Sequence, residues 1–314
     1  MSKYCFGIDL GGTTVKCALF LTDGTMEEKW EIKTHTENNG ERILPDIAKN
    51  HSGRKMKERH IDKEAVAGIG IGVPGPVGEN GELPYAVNLH WGRKNIEEEL
   101  QSLTGISVKA GNDANVAALG EMWKGGGQGA RNMIMVTLGT GVGGGIIINE
   151  KILTGAHGAG GELGHACVNP EETVACNCGN KGCLEQYASA TGIARLAKQA
   201  LASSDAASLL RGKERVTAKD VFDAYKEQDA LAKEIVKEFS QYLGKALAVF
   251  SCVADPEIIV LGGGVSKAGQ VLLDCVKEEF HKYAFPACKE AGFALAMLGN
   301  DAGVYGAAKL VLSE

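Results

Sequence analysis

Apolar positions in the first third of this chain come in short unbroken runs rather than long helical stripes. Residues 4–9, 15–21 and 65–73 (AVAGIGIGV) are runs of strand length, each bounded by glycine or proline. The turn at Asp23-Gly24 predicts a returning strand over 26–34. Residues 96–103 have helical spacing, 106–109 read as a strand, and 113–123 as a helix with apolar or small residues on one face. Asn112 and Asp113 stand at that strand-to-helix junction, where Asp is expected as the amino-terminal cap. The pattern then begins again: a strand at 132–138, a glycine loop at 139–145 and a strand at 146–148. A mostly helical stretch follows to Ala254, then a strand at 257–261 and the turn Gly262-Gly263-Gly264 leading into a helix. A strand at 293–297 and a helix over 302–312 close the chain.

An apolar strand, a glycine turn with threonine and a second apolar strand thus occur at the start of each half. This predicts an α/β protein of two related lobes. A length of 314 residues is enough for two cores. Hydrophobic content of 44% and charged content of 23% are those of an ordinary globular protein, and the 43 glycines cluster in turns. A net charge of -6 and the lack of a dense basic run argue against nucleic acid as a partner; the basic patch at 54–59 includes an acid and reads as a solvated face. No run has the length of a signal peptide or membrane span, so no membrane partner is expected. Of the nine cysteines, Cys5, Cys17, Cys167, Cys252, Cys275 and Cys288 are expected as small core residues in a reducing, cytoplasmic compartment.

The other three cysteines carry chemistry. His165, Cys176, Cys178 and Cys183 offer one imidazole and three thiolates, a closed tetrahedral set suited to structural zinc. Gly179 and Gly182 allow the tight backbone that such convergence needs, and two cysteines one residue apart bridge poorly as a disulfide. Glu162 and Glu185 bracket the cluster, which reads as a pin holding polar side chains near a site.

The glycine loops are a second candidate. Gly139-Thr-Gly141-Val-Gly-Gly144 and Gly70-Ile-Gly72-Val-Pro-Gly75 match a dinucleotide fingerprint in letters only. The first is followed by a strand-like run, and the second has proline at the close approach. Neither ends as a Walker loop. Asp9-Leu-Gly11-Gly12-Thr13-Thr14 and Leu138-Gly139-Thr140-Gly141 instead read as paired glycine hairpins, whose N–H and hydroxyl groups can clasp a polyphosphate. Gly262-Gly263-Gly264 adds to that reading. Asp9 is a candidate Mg2+ ligand, directly or through water.

Taken in order, Asp9-Leu-Gly-Gly-Thr, Gly-Asn112-Asp113-Ala-Asn115, Leu-Gly-Thr140-Gly-Val-Gly-Gly-Gly, Gly-Glu162-Leu-Gly-His165 and Cys176-Asn-Cys178-Gly-Asn-Lys-Gly-Cys183-Leu-Glu185 resemble the ROK family of sugar kinases. The likeness is strongest to that family's bacterial, ATP-dependent glucose kinases and covers essentially the whole chain. It implies two actin-like (ribonuclease H-like) α/β lobes around a cleft: a small lobe of 1–112 and 300–314, and a larger lobe of 113–299 holding the zinc cluster. It implies transfer of phosphate from ATP to the 6-hydroxyl of glucose, with Asp113 as general base. Gly75, Asn112, Asp113, Glu162, His165 and Glu185 would hold the sugar. Gly11, Gly12, Thr13, Thr140, Gly141 and Gly263 would contact ATP. A homodimer or homotetramer is implied as well. Kinases of N-acetylmannosamine, fructose or allose share these residues. The family also includes sugar-responsive regulators, which carry a helix-turn-helix domain ahead of the kinase-like region; here the phosphate-binding strand begins at Tyr4.

Overall fold

Burial on nearly every position from Tyr4 to Leu10 marks a central strand, covered on both faces. A computed structural model describes residues 3–312. Its elements are β1 (Tyr4–Leu10), β2 (Thr14–Leu21), β3 (Met26–Lys33), α1 (Ile43–Ala48), a π-helical turn (Lys49–Lys55), α2 (Met56–Glu58), β4 (Val66–Val73), β5 (Glu82–Leu83), β6 (Lys94–Asn95), α3 (Ile96–Thr104), β7 (Val108–Asn112) and α4 (Asp113–Lys124). Then come β8 (Met133–Leu138), β9 (Val142–Ile148), β10 (Lys151–Ile152), α5 (Glu185–Ala188), α6 (Ala190–Ser203), α7 (Ala218–Lys226) and α8 (Ala230–Ala254). The chain ends with β11 (Ile258–Gly262), α9 (Gln270–Tyr283), β12 (Gly292–Leu295) and α10 (Ala302–Leu310). Among the described residues no helix is long and apolar enough to cross a membrane.

The chain divides into two compact units. The first comprises Met1–Gly129, Gly145–Gly161 and Leu298–Glu314; the second comprises Ala130–Gly144 and Glu162–Met297. This differs from the expected lobes of 1–112 with 300–314 and 113–299. The expected boundary left α4 with the second lobe, but α4 belongs with α10: a Cβ on Gly306 would overlap the Val116 carbonyl, so the two helices meet backbone to backbone. The unit holding the cysteine cluster is consequently the slightly shorter one. Residues 1–2 and 313–314 of the expected small lobe lie outside the described residues.

In the first unit the sheet order is β3-β2-β1-β4-β7, with β1, β2 and β3 antiparallel and β1, β4 and β7 parallel. Consecutive residues point to opposite faces. Phe6 and Ile8 therefore pack with Ile43, Ile47 and Leu100, while Cys5 packs with Phe20, Val304 and Ala308 of the other face. Edge strand β3 alternates exposed Glu27, Lys29, Glu31 and Lys33 with half-buried partners, which keeps that edge unattractive for pairing. In the second unit β8, β11 and β12 run parallel, and the start of β9 lies beside β8. Helices α6, α7 and α9 pack on the long helix α8.

Three expectations are corrected. The loop expected at 139–145 ends sooner, because β9 begins at Val142. The stretch after Ile152 is not mostly helical: most of residues 153–184 form turns and bridges around the His/Cys cluster. Of the six cysteines expected in the core, Cys5, Cys17 and Cys288 are buried, Cys275 is half-buried, and Cys167 and Cys252 are exposed.

Candidate functional site

The cysteine cluster is built by short-range backbone bonds. The Cys176 N–H donates to the Asn180 carbonyl at 2.7 Å and the Gly179 N–H to the Cys176 carbonyl at 2.9 Å, closing a turn that returns Cys178 toward Cys183. A bridge pairs Cys167 with Cys183, and the Val168 N–H donates to the Gly182 carbonyl at 2.7 Å. His165 ends the short turn Leu163–His165. One ligand atom from each of His165, Cys176, Cys178 and Cys183 lies within 4.8 Å of the others. Cys178 and Cys183 Sγ are 3.6 Å apart, and Cys176 Sγ is 3.9 Å from His165 Nδ1. A tetrahedral zinc with Zn–S bonds of about 2.3 Å needs edges of about 3.8 Å, so the donor set fits that ion. The sulfur separation is far beyond a disulfide bond. Burial pushes the Cys183 thiol up to about 12 and raises Cys176, while the Asn180 backbone N–H lowers Cys178.

Two carboxylates adjoin the cluster. His165 turns Nδ1 toward Cys176 and Nε2 toward Glu162 Oε2, 3.9 Å away. A metal on Nδ1 would leave Nε2–H to a different partner. Glu185, first residue of α5, accepts the Val142 N–H on Oε2 at 3.0 Å, and its Oε1 lies 3.6 Å from Cys176 Sγ. A further network fixes the outer part of the loop. Tyr187 donates to Glu172 at 2.6 Å, Arg195 pairs with Glu172 at 2.7 Å, and Asn169 donates to the Tyr187 hydroxyl at 2.8 Å. The Tyr187 hydroxyl, the Val174 N–H and Arg195 hold the Glu172 carboxyl down at about 2. Glu172, Tyr187 and Arg195 were not singled out in the sequence, because nothing local links them.

In the first unit, β7 delivers Asn112 and Asp113 to the start of α4. The cap is Asn112, correcting the expectation of Asp: its Oδ1 accepts from the Ala114 and Asn115 N–H groups at 3.0 and 3.1 Å. Its Nδ2 donates to the Gly75 carbonyl at 3.1 Å. Asp113 is the first helical residue, half-buried, with Oδ1 2.8 Å from the Ala114 N–H.

The glycine turns fall in both units. In the first, the Gly11 N–H donates to the Thr14 carbonyl at 3.0 Å, and the Thr34 hydroxyl to the Gly11 carbonyl at 2.7 Å. Gly12 and Thr13 are left exposed. Asp9 pairs with Lys16 at 3.2 Å. In the second, the Thr191 hydroxyl and the Ala190 N–H hold the Thr140 and Gly139 carbonyls at 2.7 and 2.8 Å. Gly263 has φ +82°, and a Cβ there would lie 2.5 Å from the Leu138 carbonyl oxygen, so no other residue fits. Beside it lies a mainly apolar cavity of about 330 Å³, lined among others by Ala190, Thr217, Phe222, Val265 and Ala268. These lining residues come from distant segments, which no sequence motif connects.

The paired sheets, the glycine turns and the His/Cys cluster define a protein of the mixed α/β ROK kinase fold. The chain belongs to the ROK family, whose description matches residues 5–314. It is similar to the "Glucokinase" of Halalkalibacterium halodurans, with 45% identity covering 99% of this chain and 96% of that one. The "Glucokinase" of Thermotoga maritima is 37% identical over 97% and 96% of the two chains. Among solved structures, a ROK family glucokinase from Streptomyces griseus in complex with glucose and AMPPNP has a TM-score of 0.73 at 32% identity, covering 99% of this chain and all of that one.

Proposed function

We propose that this protein is an ATP-dependent glucokinase, transferring the γ-phosphoryl group of ATP to the 6-hydroxyl of glucose. The observation that carries the reading is the 45% identity to a glucokinase over 99% of this chain, in which Asp113 opens a helix of the first unit and His165 of the second lies between a thiol cluster and a carboxylate. Asp113 serves as general base. The amino terminus of α4 favours its ionised form, so it accepts the hydroxyl proton late, as the O–P bond forms. Asn112, the Gly75 loop, Glu162, His165 and Glu185 hold the remaining hydroxyls. Each carboxylate accepts two donors in defined directions, so an epimer leaves one acceptor unpaired.

His165, Cys176, Cys178 and Cys183 would hold a structural zinc, which when bound fixes the segment presenting His165 and Glu185. Gly11, Gly12, Thr13, Thr140, Gly141 and Gly263 offer N–H and hydroxyl donors to the phosphates of ATP. The cavity beside Gly263 suits the adenine base, and Asp9 would hold the Mg2+ of Mg-ATP, directly or through water. We place the protein in the cytoplasm, where ligand thiols stay reduced, as a homodimer or homotetramer.

A coupled ADP-release assay with Mg-ATP and glucose, N-acetylmannosamine, fructose, mannose and allose tests the reading. Preference for glucose is expected. Preference for another sugar moves the specificity, and silence on all of them refutes the kinase assignment.

A further inference from the structure

Two cysteines outside the zinc set meet at the carboxyl end of α8. Cys252 is exposed on its last turn, and Cys288 is buried in the short turn Pro286–Glu290 that follows α9. The Cys288 thiol donates to the Ser251 carbonyl at 3.5 Å, and its Sγ lies 3.9 Å from Asp255 Oδ1. Residue 251 precedes Cys252, and residue 255 stands three further on, on the same side of the helix end. The buried sulfur therefore sits over the patch from which Cys252 projects, and the two thiols are hydrogen-bond neighbours. By contrast, Cys5 and Cys17 lie on opposite faces of the first unit's sheet, and Cys275 donates to the Tyr225 hydroxyl at 3.4 Å.

The two thiols are unequal in a way that suits a relay. Cys252 stands in solvent, where an oxidant reaches it. Cys288 is shielded, and burial, followed by the facing Cys252 and Asp255, raises its thiol above the ordinary range. It stays protonated until a base accepts its hydrogen, and Asp255 is placed to be that base. Asp255 forms the left-handed cap of α8 at φ +41°, and its N–H donates to the Ser251 carbonyl at 2.9 Å. The helix end thus holds the acceptor beside both sulfurs.

We propose that Cys252 and Cys288 form a reversible disulfide in response to a hydroperoxide, clamping the end of α8 to the segment before β12. The Cys252 thiolate attacks one oxygen of hydrogen peroxide and breaks the O–O bond. It becomes a sulfenic acid, and the other oxygen leaves as water. The Cys288 sulfur then attacks Cys252 Sγ and gives its proton to Asp255, while the sulfenic oxygen leaves as a second water. The thiols lose two hydrogens and two electrons, and the peroxide becomes two waters. The bond closes residues 252–288 into one loop containing β11, the Gly262-Gly263-Gly264 turn and α9. Such a closure restricts the unfolded chain and stabilises the second unit. In a reducing compartment the bond is transient, because thiols reverse it. No sugar or nucleotide takes part, so the pair stands whatever substrate the protein turns over.

The test treats zinc-loaded wild-type protein with equimolar hydrogen peroxide, blocks the free thiols and maps peptides by mass without reduction. A cross-link of Cys252 to Cys288, lighter by two hydrogens than the paired thiols, is expected, with zinc retained and full reversal by dithiothreitol. The linked protein should melt at least about 3 °C above the reduced one. Cys252→Ser should leave Cys288 a free thiol. Cys288→Ser, whose hydroxyl can still donate to the Ser251 carbonyl, should let excess peroxide carry Cys252 on to sulfinic acid. Asp255→Asn suits the same left-handed cap and should slow linkage at least about tenfold. Absence of the cross-link, zinc release ahead of it, or bonds between Cys252 of two copies overturns the disulfide, as does an oxidised Cys288 in Cys252→Ser. A linked protein melting no higher than the reduced one overturns the clamp, and an unchanged rate in Asp255→Asn overturns Asp255 as the base.

Discussion

Asn112 joins two jobs in one amide: its Oδ1 caps α4, and its Nδ2 holds the Gly75 carbonyl at 3.1 Å. Two substitutions separate these jobs. Asn112→Asp keeps a capping oxygen but cannot donate to Gly75, so thermal stability stays near wild type while KM for glucose rises. Asn112→Ala loses both and also gives up about 1 kcal/mol of stability. Thermal melts beside sugar titrations check this, and an Asn112→Asp enzyme with wild-type KM would show that the Gly75 bond does not matter for the sugar.

Asp113→Asn is close to isosteric, and its Oδ1 can still accept the Ala114 N–H. The fold and glucose binding should therefore persist. Turnover should fall by about 10²- to 10⁴-fold, because the amide cannot take the hydroxyl proton. Calorimetric glucose binding alongside kcat makes the comparison; a variant keeping more than a few per cent of the rate removes Asp113 as the base.

Gly141 and Gly139 form a matched pair. A Cβ on Gly141 would overlap Glu185 Oε2, whereas one on Gly139 meets nothing nearer than 3.9 Å. Gly141→Ala should push the Glu185 carboxylate off the Val142 N–H and raise KM for glucose at least about tenfold, the loss expected when a charged hydrogen-bonding partner is displaced. Gly139→Ala should stay within about twofold of wild type, since its environment admits a methyl group. Equal effects from the two would mean that the clash with Glu185 is not what limits this turn.

Strands with unbroken apolar runs, such as Tyr4–Leu10 and Val66–Val73, were legible in the sequence because burial on both faces leaves no other pattern. The His165, Cys176, Cys178 and Cys183 quartet was legible because ligand chemistry restricts residue type and spacing. The beginning of β9 was not: Val142-Gly-Gly-Gly lacks the side chains that reveal alternation, and the need for glycine at Gly145 lies in the approach of α4. The cap was misread for a related reason. Asn112 and Asp113 are both good caps, and only the backbone, extended at Asn112, decides between them. The contacts of Glu121 were invisible, since its partners Gly126 and Leu298 are joined only by the fold.

Cys178→Ser removes one thiolate of the quartet, and metal analysis should show loss of zinc. The consequences should be uneven. Glu172, Tyr187, Arg195 and Asn169 still pin the outer loop, so the second unit stays folded. The segment presenting His165 and Glu185 loosens, and KM for glucose rises more than KM for ATP. Full zinc content with normal kinetics in this variant would end the case for a metal pin.

His51 supplies a pH-dependent test of the first unit. It is fully buried in the π-helical turn Lys49–Lys55, with ring centroids 5.2 Å from Phe6 and 5.1 Å from Trp30. Nδ1 lies 2.7 Å from the Ile47 carbonyl, yet burial outweighs that bond and pushes the imidazole down from 6.5 to about 4. The unfolded chain therefore binds a proton that the folded chain does not between those two values. Stability from this group is complete above about 6.5, falls as pH drops through that window, and levels off below about 4, for a total of about 3 kcal/mol. Urea unfolding at intervals from pH 7 to 4, for wild type and His51→Gln, isolates the term. The variant begins less stable but should lose less on acidification, so the two curves converge. Parallel curves would mean that His51 titrates in the folded state as it does in the unfolded chain.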